Sequence, residues 1–306
     1  RKDLKIVDFA IKKDIDIFCV SFVEEPDNIK KVKNYAEKKG KKIFIIAKIE
    51  RDEAIKNFDE LLKVADGIMI ARGDLGMQIP IEDIPTIQKK LIRHANIAGK
   101  PVITATQMLK SMTDSNRPTR AEVTDVANAI IDGTDAVMLS EETAVGKYPS
   151  ETIKMMVKIA QSTEKRRNGA GLPSNLKKKI KKTVRYAELT KADVISLNVI
   201  EASKILDSKY ILSTTSTGST ARRISRFKPD CWIISFSRNK ETCDFLCLSF
   251  GVYPINMKIK GESWHNPILK YIKKRKMVEK GDRVILTQRR FEKEEGSTDS
   301  LGIITI

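Results

Sequence analysis

The amino-acid sequence predicts an α/β protein in which helices cover a parallel sheet, and two patterns carry that expectation. Short apolar runs alternate with amphipathic stretches across residues 16–140, and each of these runs stops at polar residues. The runs at residues 15–22, 43–50, 67–71, 102–106 and 136–140 read as five buried parallel strands, because strands covered on both faces are continuously apolar. Between them Ile29, Val32 and Tyr35, then Ile55, Phe58, Leu61 and Leu62, then Ile84, Ile87, Leu91 and Ala95 recur at helical spacing. Pro149-Ser150 opens another helix, with Ile153, Met156, Val157 and Ala160 on one side. Residues 166–184, with Asn168-Gly169 and a lysine run, break the rhythm and read as a linker between a first domain at 1–165 and a second at 185–306. In the second domain Val194, Leu197, Ile200 and Ile205 keep helical spacing. A strand at 210–212, a loop at 213–219 and a helix at 220–227 follow, then strands at 232–236, 252–255, 284–287 and 303–306. That order makes a smaller α/β domain.

The chain is long enough, at 306 residues, to bury two cores. Its net charge of +17 would suit nucleic acid, a membrane surface or small anions, and charge alone does not choose among them. The densest basic runs, at 177–182 and 273–276, lack the interleaved aromatics that stack bases, so no nucleic-acid partner is expected. No apolar stretch is long enough to cross a bilayer, and Arg1-Lys2-Asp3-Leu4 does not open a signal peptide. A cytoplasmic protein, or a piece of one, with no membrane partner is expected. The four cysteines, Cys19, Cys231, Cys243 and Cys247, are too few and irregular for a disulfide framework, and with two histidines a zinc site is not expected. Cys243 and Cys247 share a helical face and read as two small buried hydrophobes.

The polar strand ends are the chemical signal. They are Ser21, then Lys48-Ile49-Glu50, then Ala71-Arg72-Gly73-Asp74-Leu75-Gly76, then Ala105-Thr106-Gln107, then Ser140. Polar groups gathered at the C-terminal ends of parallel strands mark a barrel active site. Residues two apart on a strand share a face, so Lys48 and Glu50 point to the mouth while Ile49 packs toward the helices. Glu50 and Asp74, on adjacent strands, offer two carboxylates to Mg²⁺ or Mn²⁺, hard cations that keep waters and take further oxygens from substrate. Gly73 and Gly76 let backbone approach closely, and a helix starting near Asp74 turns amides toward an anion.

In these motifs the chain resembles the pyruvate kinases. The resemblance runs through Ser21-Phe22-Val23, Lys48-Ile49-Glu50, residues 71–76, Gly99-Lys100-Pro101, residues 105–109, Pro118-Thr119-Arg120-Ala121-Glu122, Asp132-Gly133-Thr134-Asp135 and Met138-Leu139-Ser140 with Glu142-Thr143-Ala144. It continues through Thr220-Ala221-Arg222, Phe227-Lys228-Pro229, Gly251-Val252-Tyr253-Pro254 and Gly281-Asp282. The resemblance implies a partial (β/α)8 TIM barrel of about five βα units followed by the family's C-terminal α/β regulatory domain. It implies glycolytic phosphoryl transfer from phosphoenolpyruvate to ADP, giving pyruvate and ATP. Glu50 and Asp74 would hold the divalent metal, and Lys48 would bridge the moving phosphoryl group and the enolate oxygen. Ser21, with Ala71, Arg72, Gly73 and Asp74, would bind substrate, and Thr106 with Ser140 would lie near the carbon that is protonated.

The loop Thr215-Ser216-Thr217-Gly218-Ser219-Thr220 resembles the family's phosphate-binding turn for a sugar-phosphate or nucleotide effector; an ordinary cap-rich turn is the alternative. A homo-oligomer, a tetramer in the family, is implied as well. Two departures stand out: Glu141 where the family usually has Gly or Ala, and Gln288 for a common Gly. The family's earlier barrel strands, its lid domain, and its groups for ADP and K⁺ have no counterpart, and five strands do not close an eight-stranded barrel. A chain incomplete for catalysis is therefore expected. Two other readings stay open: a metal-dependent lyase or aldolase of the phosphoenolpyruvate and pyruvate barrels, and a non-catalytic effector-binding module.

Overall fold

The computed structural model describes residues 2–167, 190–259, 263–288 and 298–306. Most of the predicted linker, including the lysine run at 177–182, lies outside the described residues. The chain divides into two compact units, Arg1–Gly171 and Leu172–Ile306.

The first unit begins with a helix absent from the sequence reading, α1 (Lys2–Lys12), which packs on α2 (Pro26–Glu37), where Tyr35 Oη donates to Asp8 Oδ2 at 2.7 Å. Five strands follow: β1 (Ile17–Val20), β2 (Phe44–Ile49), β3 (Gly67–Ala71), β4 (Val102–Ala105) and β5 (Ala136–Met138). They pair in sequence order, all parallel, with Lys48 opposite Met69 and Ala71 opposite Ala105. The predicted mixed α/β class with a parallel sheet is what the chain forms, though β1 and β5 are shorter than their apolar runs. One face of β2, formed by Ile45, Ala47 and Ile49, joins Ile68 and Ile70 in a core capped by Leu61, Leu91, Ile92 and Ala95 from the helices. Alternation then leaves Lys48 and Glu50 on the face of Phe44 and Ile46.

The helices are α3 (Asp52–Lys56), α4 (Phe58–Val64), α5 (Arg72–Leu75), α6 (Ile84–Ile97), α7 (Arg120–Asp132), α8 (Glu141–Ala144) and α9 (Pro149–Arg167). The single helix expected around Ile55–Leu62 is broken at Asn57, whose backbone (φ −91°, ψ 13°) leaves helical geometry. α7 is started by a capping box: Thr119 Oγ1 accepts from Glu122 N, and Glu122 Oε2 accepts from Thr119 N. On α9 Thr152, Met156 and Ile159 are buried; Met156 is one of the expected positions, whereas the expected Ile153 and Val157 are about half exposed, so the inward face is rotated by roughly one residue.

The second unit contains α10 (Lys191–Ile205), β6 (Tyr210–Thr214), α11 (Ser219–Ser225), β7 (Trp232–Ser237), α12 (Lys240–Leu246), β8 (Val252–Asn256), α13 (His265–Lys274), β9 (Arg283–Gln288) and β10 (Ser300–Thr305). Its sheet runs β10-β9-β6-β7-β8, with only β10 antiparallel, to β9. Leu212, Ile234, Phe236 and Leu286 pack against Ile268 and Ile272 of α13, and α10 and α11 lie against the sheet on elements β6, β7 and β9. α10 buries Ala192, Ser196, Val199, Ile200 and Ser203 rather than the expected Val194 and Ile205, because small residues let a helix sit close on a sheet. Cys243 is buried as expected, but Cys247 is exposed. Burial pushes the Cys243 thiol up to about 11, so at neutral pH it is protonated and weakly nucleophilic.

Candidate active site

The site is assembled from loops that leave the C-terminal ends of β1 to β5. After β1 the chain turns at Phe22, which adopts a left-handed backbone (φ 53°) that bulky residues rarely take. Two contacts hold it there: its amide donates to Glu50 Oε2 at 2.7 Å, and Arg51 stacks over its ring at 5.2 Å. Lys48 Nζ donates to Ser21 Oγ at 2.9 Å and lies 2.5 Å from Glu50 Oε1. Ser21, Lys48 and Glu50 therefore form one cluster across two neighbouring strands, as the alternation on β2 predicts.

Glu50 is almost completely buried, at 1% exposure. Its Oε2 is committed to Phe22, while Oε1 is in ion-pair contact with Lys48 but accepts no hydrogen bond. At 2.5 Å the Lys48 ammonium already balances the charge on this buried oxygen, so a divalent cation binding here would share Oε1 with Lys48 or displace it. Asp74 is exposed and sits not on a strand, as expected, but on the single turn α5 that follows β3. The donor set fits Mg²⁺ or Mn²⁺: two carboxylates on neighbouring strand ends, hard oxygens only.

The β3 and β4 ends are locked together by Arg72. Its guanidinium, 9% exposed, donates to Asp125 Oδ1 at 2.7 Å and to the Thr106 carbonyl at 2.8 Å. Thr106 and Gln107 both take left-handed backbone, at φ 68° and 55°. Thr106 Oγ1 donates to the Ala105 carbonyl at 2.6 Å and accepts from Gly73 N at 2.9 Å. The Gly73 amide is thus already in use, and a Cβ at Gly73 would meet Thr106 Oγ1 only at 3.6 Å, so close approach does not require glycine there. At Gly76 a Cβ would be tighter, 3.1 Å from the Arg72 carbonyl and 3.0 Å from Ile84 Cδ1, so a neighbour would have to shift by a few tenths of an ångström.

Ser140 stands apart from Thr106, on the loop after β5. Its amide donates at 2.8 Å to Glu142 Oε2, and Glu142 Oε1 accepts from Leu109 N at 3.1 Å. Glu142, at 1% exposure, ties the β4 and β5 loops together as Glu50 ties β1 to β2. The sequence reading passed over this role, although an acid beside Ser140 in an apolar stretch was visible. Glu141, the departure from the family pattern, faces outward and pairs with Lys110 at 2.5 Å.

Residues 1–153 match the family model described as "Pyruvate kinase, barrel domain", and residues 193–304 match "Pyruvate kinase, alpha/beta domain". The chain belongs to the pyruvate kinase family. It is 49% identical over its whole length to a pyruvate kinase of Thermococcus litoralis, covering 63% of that protein. It is 40% identical to a pyruvate kinase of Staphylococcus saprophyticus over 98% of the chain and 50% of the relative. A Synechocystis protein named pyruvate kinase 2 matches at 40%, over 99% of the chain and again 50% of the relative. The chain thus spans between half and 63% of the length of these pyruvate kinases. Among the described residues no helix is long and apolar enough to cross a membrane.

The turn after β6 in this pyruvate kinase family chain is only partly an open cluster of hydroxyls. Thr215 Oγ1 accepts from Gly218 N at 2.8 Å, and Thr220, nearly buried, pairs with Thr298 at 2.5 Å. Ser216 offers its carbonyl to Asn239 and Thr242, while its side chain is exposed. Thr217 Oγ1 donates to Ser219 Oγ at 3.3 Å. Gly218 is left-handed (φ 81°), and a Cβ there would meet Arg222 Nη1 at 2.8 Å.

Proposed function

We propose that this chain carries the metal and phosphoenolpyruvate half of a pyruvate kinase active site, which transfers a phosphoryl group to ADP and yields pyruvate and ATP. The observation that carries the reading is the Ser21–Lys48–Glu50 cluster, in which an ammonium and a buried carboxylate meet at neighbouring strand ends. Glu50 and Asp74 would hold Mg²⁺ or Mn²⁺, which would supply a positive charge that polarises the enolate and carboxylate oxygens. Lys48, fixed between Ser21 and Glu50, presents its ammonium where charge moves from the phosphoryl group to the enolate. Substrate would displace the Lys48 contacts rather than add to them. Thr106, held by Gly73 and the Ala105 carbonyl, and Ser140, held by Glu142, position hydroxyls on the two strand ends beyond.

Backbone strain supports the placement. Phe22, Thr106 and Gln107 are bulky or β-branched residues in a region that costs about 1–3 kcal/mol each, and all three stand at strand ends around this cluster. A K⁺ requirement, a cytoplasmic location and a homo-oligomer belong to the same reading by family. The 306 residues by themselves are expected to bind metal and phosphoenolpyruvate weakly and to turn over poorly, because β1 and β5 each have one strand neighbour in the described sheet. Metal-dependent ATP formation from phosphoenolpyruvate and ADP, assayed on a whole enzyme carrying this segment, tests the proposal. No ATP with either Mg²⁺ or Mn²⁺ would overturn it.

The turn at 215–220 is proposed as an effector site for a phosphorylated small molecule. Strand order reverses at β6, between β9 on one side and β7 on the other, and ligands of open α/β sheets settle at such reversals. Calorimetry with fructose bisphosphate, ribose phosphate and AMP should show one binding event that weakens when Thr217 and Ser219 are both changed to Ala. No heat with any of the three would leave the turn structural.

A further inference from the structure

The second unit repeats a short pattern on three strands: Ile211-Leu212-Ser213, Ile233-Ile234-Ser235 and Ile285-Leu286-Thr287. The registers align them. Ile211 is opposite both Ile233 and Ile285, and Ser213 is opposite both Ser235 and Thr287. Leu212, Ile234 and Leu286 face the core with α13, so alternation sends the isoleucines and the hydroxyls to the other face, where α10 and α11 lie. On that face an all-isoleucine row is followed, toward the C-terminal strand ends, by an all-hydroxyl row across three adjacent strands.

The hydroxyl row is sealed and unmatched. Ser213, Ser235 and Thr287 are each 0% exposed, and none of their hydroxyl oxygens has a hydrogen-bond partner. Elsewhere in the unit Ser196, Ser203 and Thr220 have partners, while Ser208 and Ser249 are buried single hydroxyls without one; only Ser213, Ser235 and Thr287 lie in register on adjacent strands among the described residues. One orphan could be tolerated at a cost of about 1–3 kcal/mol, but three in register would cost a large part of a domain's stability. Aliphatic side chains would fill the same positions without that cost, as Ile211, Ile233 and Ile285 do one step earlier.

We propose that Ser213, Ser235 and Thr287 line an internal binding site for a row of ordered water molecules, spanning β9, β6 and β7 beneath α10 and α11. Each water needs two to four polar partners, and neighbouring waters with a hydroxyl on each strand supply them. The row ends one residue short of Thr214 and the turn at 215–220. It therefore makes the floor under that turn polar and hydrated rather than packed. Nothing in this inference depends on the catalytic reading.

Three variants of the full chain decide it: Thr287→Val, which keeps shape, and Ser213→Ala and Ser235→Ala. If water fills the row, each change strips a partner from a bound water and raises the unfolding equilibrium constant on the order of fivefold. If the row is dry, each change deletes an unmatched hydroxyl and lowers that constant instead. A high-resolution crystal structure supplies the independent readout. Water within about 2.5–3.0 Å of at least two of the three hydroxyls is expected. Empty density there, hydroxyls bonded to backbone carbonyls, or variants more stable than the parent would overturn the proposal.

Discussion

The two units finish their parallel strands in opposite ways. In the first, strand ends carry charge and strained backbone: Glu50, paired with Lys48, holds left-handed Phe22, and Arg72 holds left-handed Thr106. In the second, strand ends carry neutral hydroxyls, and the left-handed position of the turn is given to Gly218. The contrast teaches what each mouth is fit to do. On the proposed reading, strain and a buried ion pair preorganise a fixed arrangement for charge that develops during reaction. Hydroxyls and an unstrained turn fit a ligand that arrives and leaves as an anion, without demanding rigid geometry.

The largest expected effect falls on the charged mouth. In a whole enzyme carrying this segment, Lys48→Met should lower turnover on the order of 10²- to 10³-fold while leaving metal binding nearly unchanged, as checked by steady-state rates beside a Mn²⁺ titration. Near-normal turnover would remove Lys48 from the mechanism and dissolve the contrast.

Next comes an ion cluster that shows the second unit also uses charge, but to fold. Asp193 accepts from Arg226 Nη2 at 2.9 Å, lies 3.4 Å from Arg223 Nε, and closes a capping box with Thr190. Arg226 is 7% exposed, so Asp193→Asn should cost about 3 kcal/mol in denaturant unfolding of this unit. Burial pushes the Asp193 carboxyl up, but the Thr190 hydroxyl and the two arginines outweigh it and hold the group below the ordinary range. Its folded value is thus lower than its unfolded one. The stabilisation is fully present above about pH 4 and lost as pH falls through the folded value. Parent and variant curves should converge only in acid; convergence at neutral pH would contradict the pairing.

A smaller effect separates the two glycines. Gly218→Ala should destabilise by about 1–2 kcal/mol, since φ is positive and the new Cβ meets Arg222 and Leu246 within 3.1 Å. Gly73→Ala should change stability by less than about 0.5 kcal/mol, because the nearest atom is 3.6 Å away. Thermal midpoints of the two variants check the pair, and equal losses would mean the two turns are built alike.

Much of this was legible before any coordinates. Continuous apolar runs gave the parallel strands, and the two-residue period on β2 placed Lys48 and Glu50 on one face with Ile49 opposite. What escaped depends on long-range partners. Glu142 was visible only as an acid beside Ser140, since its partners Leu109 and Ser140 are brought to it by the β4 and β5 loops. Left-handed backbone at Phe22 and Thr106 has no sequence signature, because tertiary contacts impose it on residues that avoid it. α1 was missed although Ile6, Val7, Ala10 and Ile11 recur at helical spacing, and α7 announced itself through the unread capping box Thr119-x-x-Glu122. The inward faces of α9 and α10 include the expected Met156 and Ile200 but turn Val157 and Val194 outward, because small polar residues such as Thr152, Ser196 and Ser203 take the buried positions and carry no apolar signal.

The central claim is that Glu50 uses one oxygen to hold the Phe22 turn and offers the other, paired with Lys48, to a divalent cation. Glu50→Gln separates the two, because its remaining carbonyl oxygen can still accept from Phe22 N while an amide replaces the oxygen that faces Lys48. Titration calorimetry of Mn²⁺ into the parent and both variants, with phosphoenolpyruvate present, should show affinity falling on the order of tenfold or more in Glu50→Gln but not in Lys48→Met, which breaks the same ion pair and keeps the carboxylate. Equal Mn²⁺ affinity in the parent and Glu50→Gln, or an equal loss in Lys48→Met, would contradict the account.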